Sequence, residues 1–172
     1  IGKTALVKEF MKDRPGYYYL ARACSEREQA YQWGRQLAHD GYIVDKFPSF
    51  QDIFQKIAHR VTGKKVLVID EFQNIVRASD AFMKELVTFV HSQWNRDDVM
   101  VILLSSSIGW IENNMITRIG EAAYELSGLL KIKESMIPTF AVNSQRNRKL
   151  KRMRIREIRT IRLCFRRQRR YF

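Results

Sequence analysis

The chain has 172 residues, 45% of them apolar, with 31 Lys and Arg against 18 Asp and Glu and only two cysteines. That is enough chain for one domain with a real core, and Cys24 and Cys164 are too far apart to suggest a disulfide framework or a paired-cysteine zinc site. The net charge of +13 is concentrated: residues 143–172 hold 13 of the basic residues and a single acid, Glu157, so a near-neutral body carries a basic tail.

In chain order, a first helix is expected at once, with Ala5, Leu6 and Phe10 on one side, ending at the turn-forming Asp13-Arg14-Pro15-Gly16. Tyr17 to Ala23 reads as a strand, aromatic-rich and too short for a helix. Ser25 with Glu28 forms a capping box opening a helix that turns Ala30, Trp33 and Leu37 inward and closes at Gly41. Ser49 with Asp52 is a second, weaker cap, before Phe50, Ile53, Phe54, Ile57, Ala58 and Val61 at helical spacing, with Gly63 as the stop. Val66 to Ile69 is a continuous apolar run ending in Asp70-Glu71, the pattern of a strand buried on both faces. Ser79 or Asp80 caps a helix with Phe82, Leu86, Phe89, Val90 and Trp94 on one stripe, and Val99 to Leu104 is another buried strand ending in Ser105-Ser106-Ser107. That six-residue run is the longest apolar one, far below the ~20 residues a membrane helix needs, and no charged-then-apolar leader opens the chain, so a cytoplasmic, reducing location is expected.

Alternating strands and helices predict a three-layer α/β domain with a mostly parallel sheet over residues 1–137, followed by a basic tail over 138–172. Ligands in such sheets sit at the carboxyl ends of the strands, which puts Asp70, Glu71 and Ser105 to Ser107 on one rim. Gly2-Lys3-Thr4 at the head of a helix is the last part of a phosphate loop, in which backbone N–H groups and the helix N-terminus cradle phosphate. In that scheme Gly2, Lys3, Thr4 and Ala5 contact the nucleotide, the Lys reaching the β and γ phosphates, and the Thr hydroxyl ligates Mg²⁺. A bare tripeptide is weak evidence; the apolar strand ending in Asp70-Glu71 strengthens it, because two adjacent carboxylates at a buried strand's end are costly unless they bind something. Asp70 then holds Mg²⁺ and Glu71 polarises the attacking water as a general base. His39, His59 and His91 show no metal-ligand spacing, and Trp33, Trp94 and the Phe stripe are explained as core.

The strand between the two motifs, and the Glu beside the Asp, resemble the ASCE division of P-loop NTPases, to which AAA+ and STAND ATPases belong. More narrowly, residues 2 to about 134 resemble the archaeal ATPase family, AAA-type domains found predominantly in archaea. The resemblance rests on Gly2 to Phe10, on Val68-Ile69-Asp70-Glu71-Phe72-Gln73, on Ile102 to Trp110 and on Gly128-Leu129-Leu130-Lys131-Ile132-Lys133-Glu134. It implies ATP and Mg²⁺ binding, with hydrolysis coupled to a conformational change. It also implies a polar γ-phosphate sensor at Ser105 or Ser106, for which a simple strand-to-loop cap is the alternative use, and it places Arg118 near a loop from which an arginine can neutralise γ-phosphate in cis or across a subunit interface of a homo-oligomer. A solvent-facing Arg118 is the plainer reading.

Because Ile1 falls inside the phosphate-loop motif, the strand that precedes such a loop is expected to lie before it, making this an N-terminally truncated core with impaired nucleotide binding. The basic tail admits three readings: contact with nucleic-acid phosphate through residues 143–172, a solvated tail, or a frameshifted end. A nucleic-acid-binding protein acting through that tail, or an inactive remnant of an ATPase gene, are the alternatives to an ATPase.

Overall fold

The computed structural model describes residues 3–60, 65–93 and 99–119. Helix α1 (Lys3–Met11) leads into strand β1 (Gly16–Leu20), then helices α2 (Glu26–His39) and α3 (Phe50–Arg60), strand β2 (Lys65–Asp70), helices α4 (Gln73–Ala78) and α5 (Phe82–Gln93), strand β3 (Val99–Leu103) and helix α6 (Ile108–Ile119). The strands form one parallel sheet in the order β1-β2-β3, with Tyr18 opposite Val68 and Val68 opposite Ile102. All six residues of β2 are buried, as a central strand covered on both faces requires. Gly16 starts β1 where the chains run close: a Cβ there would lie 2.6 Å from the carbonyl oxygen of Val66.

Side chains alternate along β2 and feed two cores. Leu67 and Ile69 enter the larger one with Trp33 and Leu37 of α2, Ile53 and Phe54 of α3, Ile75 of α4, Leu86 of α5 and Ile111 of α6. Val66 and Val68 face the other way, onto Ile102, Leu104 and Val7 of α1. Among the described residues, one helix therefore covers one face and five cover the other. Trp33, fully buried, stacks on Tyr19 at 4.2 Å between ring centroids and meets Phe54 edge-on at 5.7 Å, contacts that add to the burial of apolar area.

All three expected caps form: Ser79 Oγ accepts from the Phe82 N–H at 3.2 Å, and the two at Ser25 and Ser49 have their strengths reversed. Ser25 Oγ accepts from the Glu28 N–H at 3.3 Å, but the Glu28 carboxylate turns to Gln32 instead of reaching back. Ser49 and Asp52 make the complete reciprocal box: Asp52 N–H donates to Ser49 Oγ at 3.1 Å, and Ser49 N–H donates to Asp52 Oδ2 at 3.0 Å. Asp40 is the C-cap of α2, and Gly41 just beyond it has φ 81°, the left-handed position that glycine fills without strain.

Three expectations change. The inward stripe of α1 is Thr4, Val7, Phe10 and Met11, one face at i, i+3, i+6 and i+7, so Phe10 keeps its expected place while Ala5 is exposed and Leu6 is 57% exposed. β1 ends at Leu20, short of Ala23, although Ala21 N–H still bonds to the Asp70 carbonyl. β3 ends at Leu103, while Leu104 N–H still bonds to the Ile69 carbonyl. Helices α4 and α6 were not foreseen. The stretch 128–134, Val61, Gly63, Trp94 and the basic tail with its boundary at 137/138 lie outside the described residues. Among the described residues no helix is long and apolar enough to cross a membrane.

Replacing Trp33 with Ala is expected to lower the unfolding free energy by about 3–5 kcal/mol, read from urea denaturation. Ser49→Ala is expected to cost about 1 kcal/mol at neutral pH. The Ser49 hydroxyl, then its backbone N–H, hold the Asp52 carboxyl below its ordinary range, so this stabilisation is complete above the unfolded carboxylate range and is lost as pH falls through the lower native value. The deficit of the variant is therefore expected to shrink in melts recorded below about pH 4.

Candidate active site

At the carboxyl ends of β2 and β3 four segments converge. α1 supplies Lys3 and Thr4 in its first turn, which contains no acidic residue, so the partial positive charge of its exposed N–H groups is not neutralised from within the helix. Ala5 follows in the same turn with its side chain exposed, leaving only its backbone to serve a ligand. The inward stripe of α1 brings Thr4 onto Asp70: Thr4 Oγ1 donates to Asp70 Oδ2 at 2.9 Å. Lys3 Nζ donates to the carbonyl oxygen of Ser105, past the end of β3, at 2.6 Å.

Asp70 is only 3% exposed. Burying a carboxylate is costly unless hydrogen bonds replace its water, and Asp70 receives three: from Thr4, from the backbone N–H of Glu71 to Oδ1 at 2.9 Å, and from the Tyr18 hydroxyl to Oδ2 at 2.6 Å. Sequence reasoning missed Tyr18. It sits on β1 with its ring toward the α1 face, and Lys8 Nζ lies 5.5 Å from the ring centroid. Burial, then the hydrogen bond to Asp70 and the charge on it, push the phenol's pKa up, so Tyr18 remains a donor.

Glu71 is half-buried, and its backbone has φ 54°, the left-handed region that non-glycine residues adopt under restraint. The turn is held by Phe72 N–H to the Leu104 carbonyl at 3.1 Å and Asn74 N–H to the Glu71 carbonyl at 2.9 Å. Its carboxylate takes three hydrogen bonds on Oε2: from Ser106 Oγ at 2.7 Å, Ser106 N–H at 3.2 Å and Gln73 Nε2 at 2.5 Å. Burial pushes its pKa up, but these bonds and the nearby Lys3 charge outweigh that and hold it below the ordinary value, so Glu71 is ionised and able to accept a proton. The two serines divide their roles. Ser106 bonds to Glu71, whereas the buried Ser105 uses Oγ to accept from Ser107 N–H at 3.1 Å, a local cap, and its carbonyl to hold Lys3.

Lys3, Thr4, Asp70, Glu71, Ser105 and Ser106 thus gather in one cluster. Arg118 does not join it: in the last turn of α6, its Nη1 bonds to Asp80 Oδ1 at 3.1 Å, between α4 and α5. Gly2 lies outside the described residues. A cleft of about 350 Å³, lined by Glu26, Ala30, Ser49, Phe50 and Glu85, contains none of the cluster.

A helix N-terminus set against the carboxyl ends of parallel strands, beside a lysine and two carboxylates, fits a P-loop-like α/β domain. The family model of the ATPases associated with various cellular activities (AAA) matches residues 1–125, nearly three quarters of the chain, which therefore belongs to that family. No curated protein and no solved structure matches it.

Removing the Glu71 side chain separates its chemistry from its backbone strain. Glu71→Gly is expected to unfold with about 1 kcal/mol more stability than Glu71→Ala, because glycine relieves the positive φ that alanine retains. Equal stabilities in chemical denaturation would show that the turn relaxes on its own.

Proposed function

We propose that the chain is a Mg²⁺-dependent ATP hydrolase whose phosphate site is the cluster around Lys3 and Asp70. The observation that carries this reading is the 2.9 Å contact between Thr4 Oγ1 and Asp70 Oδ2, two groups 66 residues apart in sequence that meet at a helix N-terminus. A hydroxyl beside a carboxylate is a hard-oxygen donor set, which suits Mg²⁺. Among the described residues no three His, Cys, Asp or Glu side chains gather to hold an ion; this agrees with an ion that takes its remaining ligands from substrate phosphate and water. When bound, Mg²⁺ supplies charge neutralisation across the phosphates.

The chain's own groups then have separate tasks. The ammonium of Lys3 leaves the Ser105 carbonyl to pair with phosphate oxygens, and the backbone N–H groups of Lys3 to Ala5 in the first turn of α1 hold the anion. Thr4 and Asp70 hold the metal ion. Glu71 accepts the proton of the attacking water, a role that its ionised carboxylate supports. Ser106, bonded to Glu71 and placed on the turn after β3, links the base to the γ-phosphate and acts as sensor, while Ser105 serves through its carbonyl. Arg118 reaches a γ-phosphate either in cis, on leaving its exposed partner Asp80, or across an interface with a second copy. Val68 to Gln73 speaks for the superfamily, and Ile102 to Trp110, with Gly128 to Glu134, resembles the archaeal ATPase family and supports that subclass.

The test is ATP binding and phosphate release with Mg²⁺, on wild type, Lys3→Ala and Glu71→Gln. Lys3→Ala is expected to lose about tenfold or more in ATP affinity. Glu71→Gln is expected to keep affinity and lose about 10²–10⁴-fold in turnover. Hydrolysis by Lys3→Ala at the wild-type rate would reject the assignment.

A further inference from the structure

Gln73 begins α4, two residues after Glu71, and only 3% of it is exposed, between the buried Phe72, Ile75 and Val76. Its Nε2 donates to Glu71 Oε2 at 2.5 Å, and its Oε1 has no partner among the described residues. A buried amide with one end unsatisfied destabilises a fold, and a methionine or leucine of similar volume would avoid that cost. Packing alone therefore does not account for a glutamine at this place. The bond it makes to Glu71 does.

We propose that Gln73 is a positioning residue that fixes one oxygen of the Glu71 carboxylate and leaves the other as the proton acceptor. This rests on Glu71 being the base. The three hydrogen bonds to that carboxylate all converge on Oε2, and among the described residues none reaches Oε1. The two sources of those bonds differ in kind. Ser106 is exposed, on the turn after β3, and is free to exchange its bond for a phosphate oxygen. Gln73 is buried on a helix whose first turn is tied to the end of β1 by Asn74 Nδ2 donating to the Ala21 carbonyl at 3.2 Å. The amide is the fixed arm and the serine the exchangeable one. The fixed arm also helps hold the left-handed backbone of Glu71, which places the carboxylate at the rim.

The test is a double-mutant cycle on the full chain with Gln73→Met, which keeps the volume and removes the amide, and Glu71→Gln. Gln73→Met is expected to lower kcat about tenfold or more, with the KM for ATP within about twofold of wild type. In the Glu71→Gln background it is expected to cause no further loss. In the ligand-free protein the Tm changes of the two variants are expected to be non-additive by about 2 °C or more. Should the methionine variant not fold, Gln73→Glu, which sets a second carboxylate against the first, is expected to lower kcat in the same way. An unchanged kcat, or an equal loss in both backgrounds with additive Tm shifts, overturns the proposal. If the wild-type chain turns over no ATP, the hydrolase reading fails, and the Tm cycle alone decides whether the clamp exists: coupling supports it and additivity overturns it.

Discussion

A carboxylate that is almost wholly buried stands at the end of the central strand, and much of the surrounding geometry follows from keeping it hydrogen-bonded. Asp70 draws one donor from the first helix, one from a neighbouring strand and one from its own following residue. Each comes from a different segment, so α1, β1 and the turn after β2 are fixed relative to one another by the same side chain. Leaving such a group without partners in a low-dielectric site costs several times what a surface ion pair gains. The fold and the site therefore share their most expensive constraint. Lys3, bonded to the Ser105 carbonyl, extends the tie to the end of β3.

The two faces of the sheet serve different ends. The face packed by five helices carries the aromatic core of Trp33, Tyr19, Phe54 and Phe82 and supplies most of the buried apolar area. On the other face, among the described residues, α1 packs over an aliphatic patch around Val7, Val66 and Val68. The stripe of α1 that packs Val7 and Phe10 onto the sheet also delivers Thr4 to Asp70. The anion-attracting end of α1 thereby comes to rest at the rim where the strands end.

Much of this was legible in the sequence, for definable reasons. Runs such as Val66 to Ile69 announce a central strand because no polar residue interrupts them, and Ser49 with Asp52 announces a helix start because the two side chains bond reciprocally. What escaped notice lacked such signals. α4 is six residues long, and Phe72 at its N-cap makes no side-chain cap, so neither period nor cap marks it. Tyr18 sits between two other tyrosines, and only the pleat of the strand decides that it turns to Asp70 while Tyr17 and Tyr19 enter the aromatic core. Gln73 reads as one more polar residue after an acidic pair until its burial is known. On the first helix Phe10 packs inward as its spacing suggests, but Val7 takes the place that the apolar Leu6 and Ala5 suggest for themselves, because the face of α1 is set by Thr4 meeting Asp70.

The pairing of Gly16 with Val66 sets which tyrosine meets which core. A copy in which β1 joined β2 one residue out of step would send Tyr18 into the space where Tyr19 stacks on Trp33 and would bring a wrong ring, or none, to Asp70. Such a copy is penalised twice, in its interior and at its rim, and so remains loose and open to proteases. A slip in this register therefore costs the fold and the site together, because one pairing sets both.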